Sequence, residues 1–126
     1  MKLKRFFTPA GLEALVGQDD ESNDRLTFGL ARPNDYWFHV HGFPGSHVVL
    51  RVSEERTEAD RESLRQAAAL AAWFSRMRQG GLVAVSCCRV RDVRKPPGAK
   101  PGTVTIRNEK KLTVRPALLP DAGEAE

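Results

Sequence analysis

Three histidines, His39, His41 and His47, fall within one short segment, DYWFHVHGFPGSHVVLR. On a strand His39 and His41 point to one side, so the His-x-His pair invites comparison with strand-borne metal centres. Such a centre normally adds a carboxylate a few residues on, but residues 42–46 hold none and the next acid is Glu54. We therefore expect no metal and no other cofactor, with a metal-dependent enzyme on His39, His41 and His47 as the alternative reading. Ser46 beside His47 suggests a nucleophile and its base. Consecutive strand residues face opposite ways, however, and no Gly-x-Ser-x-Gly elbow surrounds the pair. GFPGS lacks the Lys-Ser/Thr ending and following helix of a phosphate-binding loop, and reads as a strand connection. Cys87 and Cys88 are adjacent and so outside the chelating spacings; they read as buried or idle thiols. The residues capable of chemistry thus predict a protein that is not an enzyme.

Charge carries more. The net +4 conceals a gradient: residues 1–62 hold 8 Lys/Arg against 11 Asp/Glu, residues 63–120 hold 12 against 2, and residues 121–126 hold none against 3. A half-chain this basic suits a phosphate-dense partner, where neutralising the backbone releases condensed counterions. A protein-interaction adaptor whose basic face meets an acidic partner is a further alternative. Arg89 and Arg91, two apart on a strand, share a side, and VRDVRKPPGAKPG continues with Arg94, Lys95 and Lys100 on a backbone stiffened by three prolines. Stiffness lowers the entropy lost when a phosphate backbone docks. This loop, rather than Arg76 and Arg78 on the helix, is the expected main contact.

These residues need a scaffold, and 126 residues with 40% hydrophobic and 29% charged side chains make one globular domain, expected over 1–118 with an acidic flexible tail at 119–126. No apolar run is long enough to cross a bilayer, and the N-terminus lacks a signal-peptide pattern, so a cytoplasmic protein is expected. Alternation and turn residues predict a hairpin of Arg5–Thr8 and Glu13–Val16, then a short helix over about 19–31, then strands Tyr36–Val40 and Ser46–Val52. A long helix is predicted over about 58–79, with Thr57 as N-cap, Asp60 completing a capping box, and Gly80 and Gly81 closing it. Its buried stripe is Leu64, Ala67, Ala68, Ala71, Phe74 and Met77. A strand over Leu82–Val93 and a second hairpin of Thr103–Arg107 and Lys111–Arg115 complete the chain. The expected class is α+β, with a mostly antiparallel sheet built from hairpins.

Three motifs in order, DYWFHVHGFPGSHVVLR, LRQAAALAAWFSRMRQ and VRDVRKPPGAKPGTVTIRNEKKLTVRP, resemble the NFACT-R domain, the RNA-binding module of NFACT proteins of ribosome-associated quality control. The resemblance runs from about Arg5 to Pro116. It implies an RNA-binding module contacting transfer or ribosomal RNA, and through it the ribosome. Recognition would fall to Trp37, His39, Pro44, Gly45, Ser46 and His47, and to the loop Lys95, Pro96, Gly98, Ala99, Lys100, Pro101 and Gly102. With the basic strand and second hairpin, the expected RNA-binding set is Arg89, Arg91, Arg94, Lys95, Lys100, Arg107, Lys111, Trp37, His39, Ser46 and His47.

Overall fold

The computed structural model describes residues 1–125. Eleven elements follow one another: β1 Leu3–Phe7, β2 Glu13–Gly17, α1 Asp20–Arg25, β3 Tyr36–Val40, β4 Val48–Leu50, α2 Arg61–Trp73, β5 Val83–Arg89, β6 Val93–Arg94, β7 Thr105–Ile106, β8 Lys110–Val114 and β9 Asp121–Ala125. Seven strands form one antiparallel sheet in the order β8-β5-β3-β4-β2-β1-β9, and β6 and β7 form a separate two-stranded ribbon. The α+β class with a mostly antiparallel sheet is as the sequence predicts.

Alternation along each strand divides the sheet into two faces. One face buries Phe38, Val40, Val48, Leu50, Val85 and Cys87 beneath α2. Ala67, Ala68 and Ala71 of the predicted stripe are buried there, and their small side chains let the helix lie close to the strands. The opposite face carries Leu15, Trp37, Val49 and Cys88. It is covered by Leu26, Val90 and Val93, with Val104 and Ile106 of the ribbon packed at its margin. A π-helical turn, Leu26–Leu30, extends α1 and brings Leu26 down onto this second core.

Several boundaries differ from the sequence reading, each for a physical reason. The N-cap of α2 is Asp60, not Thr57, because the Asp60 carboxylate accepts the Ser63 N–H at 3.0 Å. The helix stops at Trp73, six residues before Gln79. Ser75 donates its hydroxyl to the Ala72 carbonyl at 2.7 Å and accepts the Met77 N–H at 3.0 Å, closing a local turn that competes with the helix. Arg76 and Arg78 therefore lie beyond the helix rather than on it.

The predicted second hairpin does not form: β7 pairs with β6, whereas β8 pairs with β5. Leu112 and Val114 pack beneath α2, while Val104 and Ile106 pack on the other side of the sheet, so one flat hairpin cannot satisfy both. The expected strand from Leu82 likewise ends at Arg89 and passes through a 3₁₀ turn, Val90–Asp92. The segment expected as a flexible tail includes β9, which pairs with the outer edge of β1. Lys4 and Asp121 pair at 3.3 Å, and an otherwise open backbone edge is satisfied.

Candidate nucleic-acid interface

The second face of the sheet is only partly covered, and the uncovered part forms a cleft. Trp37 and His39 lie two apart on β3 and share this face, with rings parallel within 9° and centroids 5.8 Å apart. The His47 ring stands edge-on to both, at 5.1 Å from Trp37 and 5.7 Å from His39. Across the strands, His39 is opposite Ser86 and Ser86 is opposite Lys111, so one cross-strand row leads from the aromatic pair to the edge of the sheet. Val104 and Ile106 of the ribbon segment form the facing wall, and the cleft encloses about 430 Å³.

His47 is a structural hub rather than an exposed ligand. It is 1% exposed, with Nδ1 2.8 Å from the Thr27 hydroxyl and Nε2 3.2 Å from the Gly102 carbonyl. A carbonyl only accepts, so Nε2 carries the proton and Nδ1 accepts from Thr27. Its backbone N–H donates to Asn23 Oδ1 at 3.0 Å. That contact requires glycine at position 17, where a Cβ would stand 2.0 Å from the same Asn23 oxygen. Burial, with a smaller contribution from neighbouring His39, pushes the His47 imidazole down to about 4. Burial also lowers His39. Both rings are therefore neutral at pH 7.

Gly102 joins this hub to the Pro/Gly loop. It sits at φ +86°, a left-handed conformation that suits glycine, and its N–H donates to Asp24 Oδ1 at 2.8 Å. Asp24 also accepts the Lys95 ammonium at 2.8 Å, and the same ammonium donates to the Lys100 carbonyl at 2.9 Å. Burial opposes ionisation of Asp24, but Lys95 and the Gly102 amide outweigh it and hold the carboxyl below its usual range. One carboxylate on α1 thus anchors both ends of the loop. Lys95 is consumed in that anchoring, a role that its position in a basic run does not reveal.

The other expected residues divide. Arg94, Lys100, Arg107 and Lys111 are exposed, and among the described residues none makes an ion pair. Arg89 is turned inward: its guanidinium lies 3.9 Å from the centroid of Tyr36, donates to the Asn34 and Thr57 carbonyls and pairs with Glu58. Arg91 bonds Asn34 through the side-chain oxygen. These two cations bind the chain to itself and do not run on into the loop as one charged face. Trp37 is 2% exposed, which removes it as an outward stacking platform, though its edge lines the cleft. Ser46 lines a different hollow, with Asp19, Asp20 and Arg76.

The arrangement offers little to the alternative chemistries. Both His47 nitrogens are engaged, and among the described residues no group of three or more His, Cys, Asp or Glu is placed to hold a metal. Ser86 and Glu109 both approach Nδ1 of His41, at 3.1 and 3.9 Å, so the ring cannot relay a proton between its two nitrogens as a triad histidine does. Burial pushes both cysteine thiols up to about 12, leaving them unreactive. The sequence segment GQDDESND, with Gly17, Asn23 and Asp24, also resembles the family, but the roles of Asn23 and Asp24, and the residues Ser86, Glu109 and Thr27, escaped the sequence reading. Their partners lie 20 to 78 residues away, and no local spacing signals them.

Comparison with known proteins agrees with the motifs. The family model of the NFACT protein RNA binding domain matches residues 2–108. The chain belongs to this family. Among curated proteins, the Rqc2 homolog RqcH of Bacillus subtilis is 39% identical over 114 residues, covering 90% of this chain and 19% of that protein. RqcH of Streptococcus suis is 42% identical over 102 residues, covering 81% and 18%. The chain therefore spans about a fifth of the curated relatives it matches. Among solved structures, the C-terminal part of the fibronectin/fibrinogen-binding protein of S. suis superposes with a TM-score of 0.86 at 39% identity, covering 93% of this chain and 46% of that one. In this chain the cleft, the ribbon and the anchored loop lie on one side of the sheet. Among the described residues no helix is long and apolar enough to cross a membrane.

Proposed function

We propose that this domain binds RNA in a translation setting, transfer or ribosomal RNA in ribosome-associated quality control, through the side of the sheet that carries the ribbon, the Pro/Gly loop and β8. Family membership supports the RNA partner, and the names of the RqcH relatives support the setting. The observation that carries the placement is the contrast in charge pairing. Arg94, Lys100, Arg107 and Lys111 are exposed and unpaired among the described residues on this side, whereas Arg89 and Lys95 are already neutralised within the fold. Unpaired cations on a stiff, anchored frame can neutralise phosphates without first breaking internal salt bridges. The cytoplasm is the matching compartment.

Titration of one RNA at one salt concentration tests the placement. The double variant Lys100→Ala/Arg107→Ala should lose about tenfold in affinity, roughly 1–2 kcal/mol, with an unchanged melting curve. Arg76→Ala/Arg78→Ala should lose much less, since Arg78 already stacks on Trp73 at 4.6 Å and donates to its carbonyl. Equal losses in the two variants would show that the face has been misplaced.

A further inference from the structure

The interior of the cleft differs chemically from its rim. The rim carries cations, Lys111 in the row with Ser86 and Arg107 directly after Ile106. The lining holds no Lys or Arg: it offers the neutral rings of Trp37 and His39, the aliphatic Val104 and Ile106, and the Ser86 hydroxyl and Glu109 carboxylate, which lie 3.1 and 3.9 Å from Nδ1 of His41 at the mouth of the cleft. Trp37 borders this interior but is 2% exposed, and its indole Nε1–H is buried without an acceptor among the described residues, so the ring lines the cleft without opening its N–H to it.

We propose that the cleft takes one unstacked guanine base of a single-stranded RNA segment, with Glu109 accepting from its Watson–Crick edge. This rests on the RNA-binding reading and specifies one contact of it. The volume, about 430 Å³, lies in the usual range for small-molecule sites, about 300–1,000 Å³. A flat base would lie against the His39 ring, with Val104 and Ile106 among the residues around it, and single-stranded RNA is read through splayed bases of this kind. The carboxylate selects among the bases. Guanine alone presents two adjacent donors, N1–H and the 2-amino group, to one carboxylate. Adenine and cytosine offer a single amino group there, and the uracil N3–H is flanked by two carbonyls that a carboxylate repels. Guanine also brings acceptors, O6 and N7, for the Ser86 hydroxyl. Cations confined to the rim then meet the flanking phosphates.

Two measurements on the full chain test this separately from the parent reading. In the first, guanosine, adenosine, cytidine and uridine 5′-monophosphates are added while the two indole N–H resonances are followed by NMR, with Trp73→Phe assigning that of Trp37. Guanosine monophosphate should shift the Trp37 resonance and uridine monophosphate should not. In the second, heptamers UUUGUUU, UUUAUUU, UUUCUUU and UUUUUUU are titrated by fluorescence anisotropy. The guanine heptamer should bind about tenfold more tightly than the others, and Glu109→Gln should abolish that margin, so that the four heptamers bind alike. If all four heptamers bind equally and the Trp37 resonance stays still with every nucleotide, the guanine site is overturned and RNA binding stands. If no heptamer binds and no nucleotide shifts Trp37, the guanine site is overturned, and failure of transfer RNA and ribosomal RNA to bind in the same titration would overturn the parent reading as well.

Discussion

Lowering the pH from 7 to 5 should cost the folded chain about 2 kcal/mol through His47 alone. The imidazole is buried with both nitrogens committed, Nε2–H to the Gly102 carbonyl and Nδ1 to the Thr27 hydroxyl, so a second proton has no acceptor. In the unfolded chain a histidine titrates near 6.5, whereas here burial holds it down to about 4. The unfolded state therefore takes up a proton that the native state refuses. The stability contributed is present in full above about pH 6.5 and is lost as the pH falls toward 4. The whole window amounts to about 3 kcal/mol, of which about 2 fall between pH 7 and 5, where most carboxylates remain ionised. His39 is shifted in the same direction and adds to the loss in the wild type. Urea unfolding followed by far-ultraviolet circular dichroism at pH 7, 6 and 5 measures the total. The variant His47→Gln, whose amide can still donate to Gly102, should show a drop smaller by about 2 kcal/mol. An equal drop in the two proteins, or a His47 Cε1 proton titrating above pH 6, would refute the assignment of His47 as a buried, neutral hub.

Counterion release sets the salt response. With four unpaired cations engaged on single-stranded RNA, the log–log slope of affinity against salt should be about −2.8, so a fourfold rise in salt weakens binding about fifty-fold. An affinity indifferent to salt would contradict the charge argument. Asp24→Ala removes the acceptor of both Gly102 N–H and Lys95, so the Gly102 amide should exchange at least about fivefold faster in hydrogen–deuterium exchange, since losing even a modest hydrogen bond is worth about 1 kcal/mol or more. Unchanged Gly102 protection would mean that the loop is held by something else. Cys87 and Cys88 should resist a thiol reagent at pH 8 until the chain is unfolded, because burial raises both thiols to about 12. Rapid labelling of the native protein would show the strands around them to be open.

Local pattern sufficed wherever the determining interaction was local. The alternation in YWFHV places Tyr36–Val40 as a strand with the bounds expected, the Ala-rich stripe faces the sheet from α2, and the basic bias of residues 63–120 is visible by counting. The family was legible too, since its motifs are contiguous runs of sequence. Other assignments failed because a side chain's role depends on what lies opposite it. Arg89 and Lys100 are both cations in one basic stretch. Only the packing of Tyr36, Asn34 and Glu58 against Arg89 turns the first inward, while Lys100 is left exposed. Lys95 could not be distinguished from Lys100 until α1 brought Asp24 to it from 71 positions earlier in the chain. Thr103–Arg107 and Lys110–Val114 both alternate, and alternation shows which residues are buried without showing beneath which face. That choice belonged to the two separate cores, one under α2 and one under the ribbon. The cleft exists because the second core stops short of β8, leaving Trp37, His39 and Ser86 at the end of a covered face and Lys111 at its open edge. Periodicity reports which side chains are apolar, and the tertiary structure alone decides where the apolar cover ends.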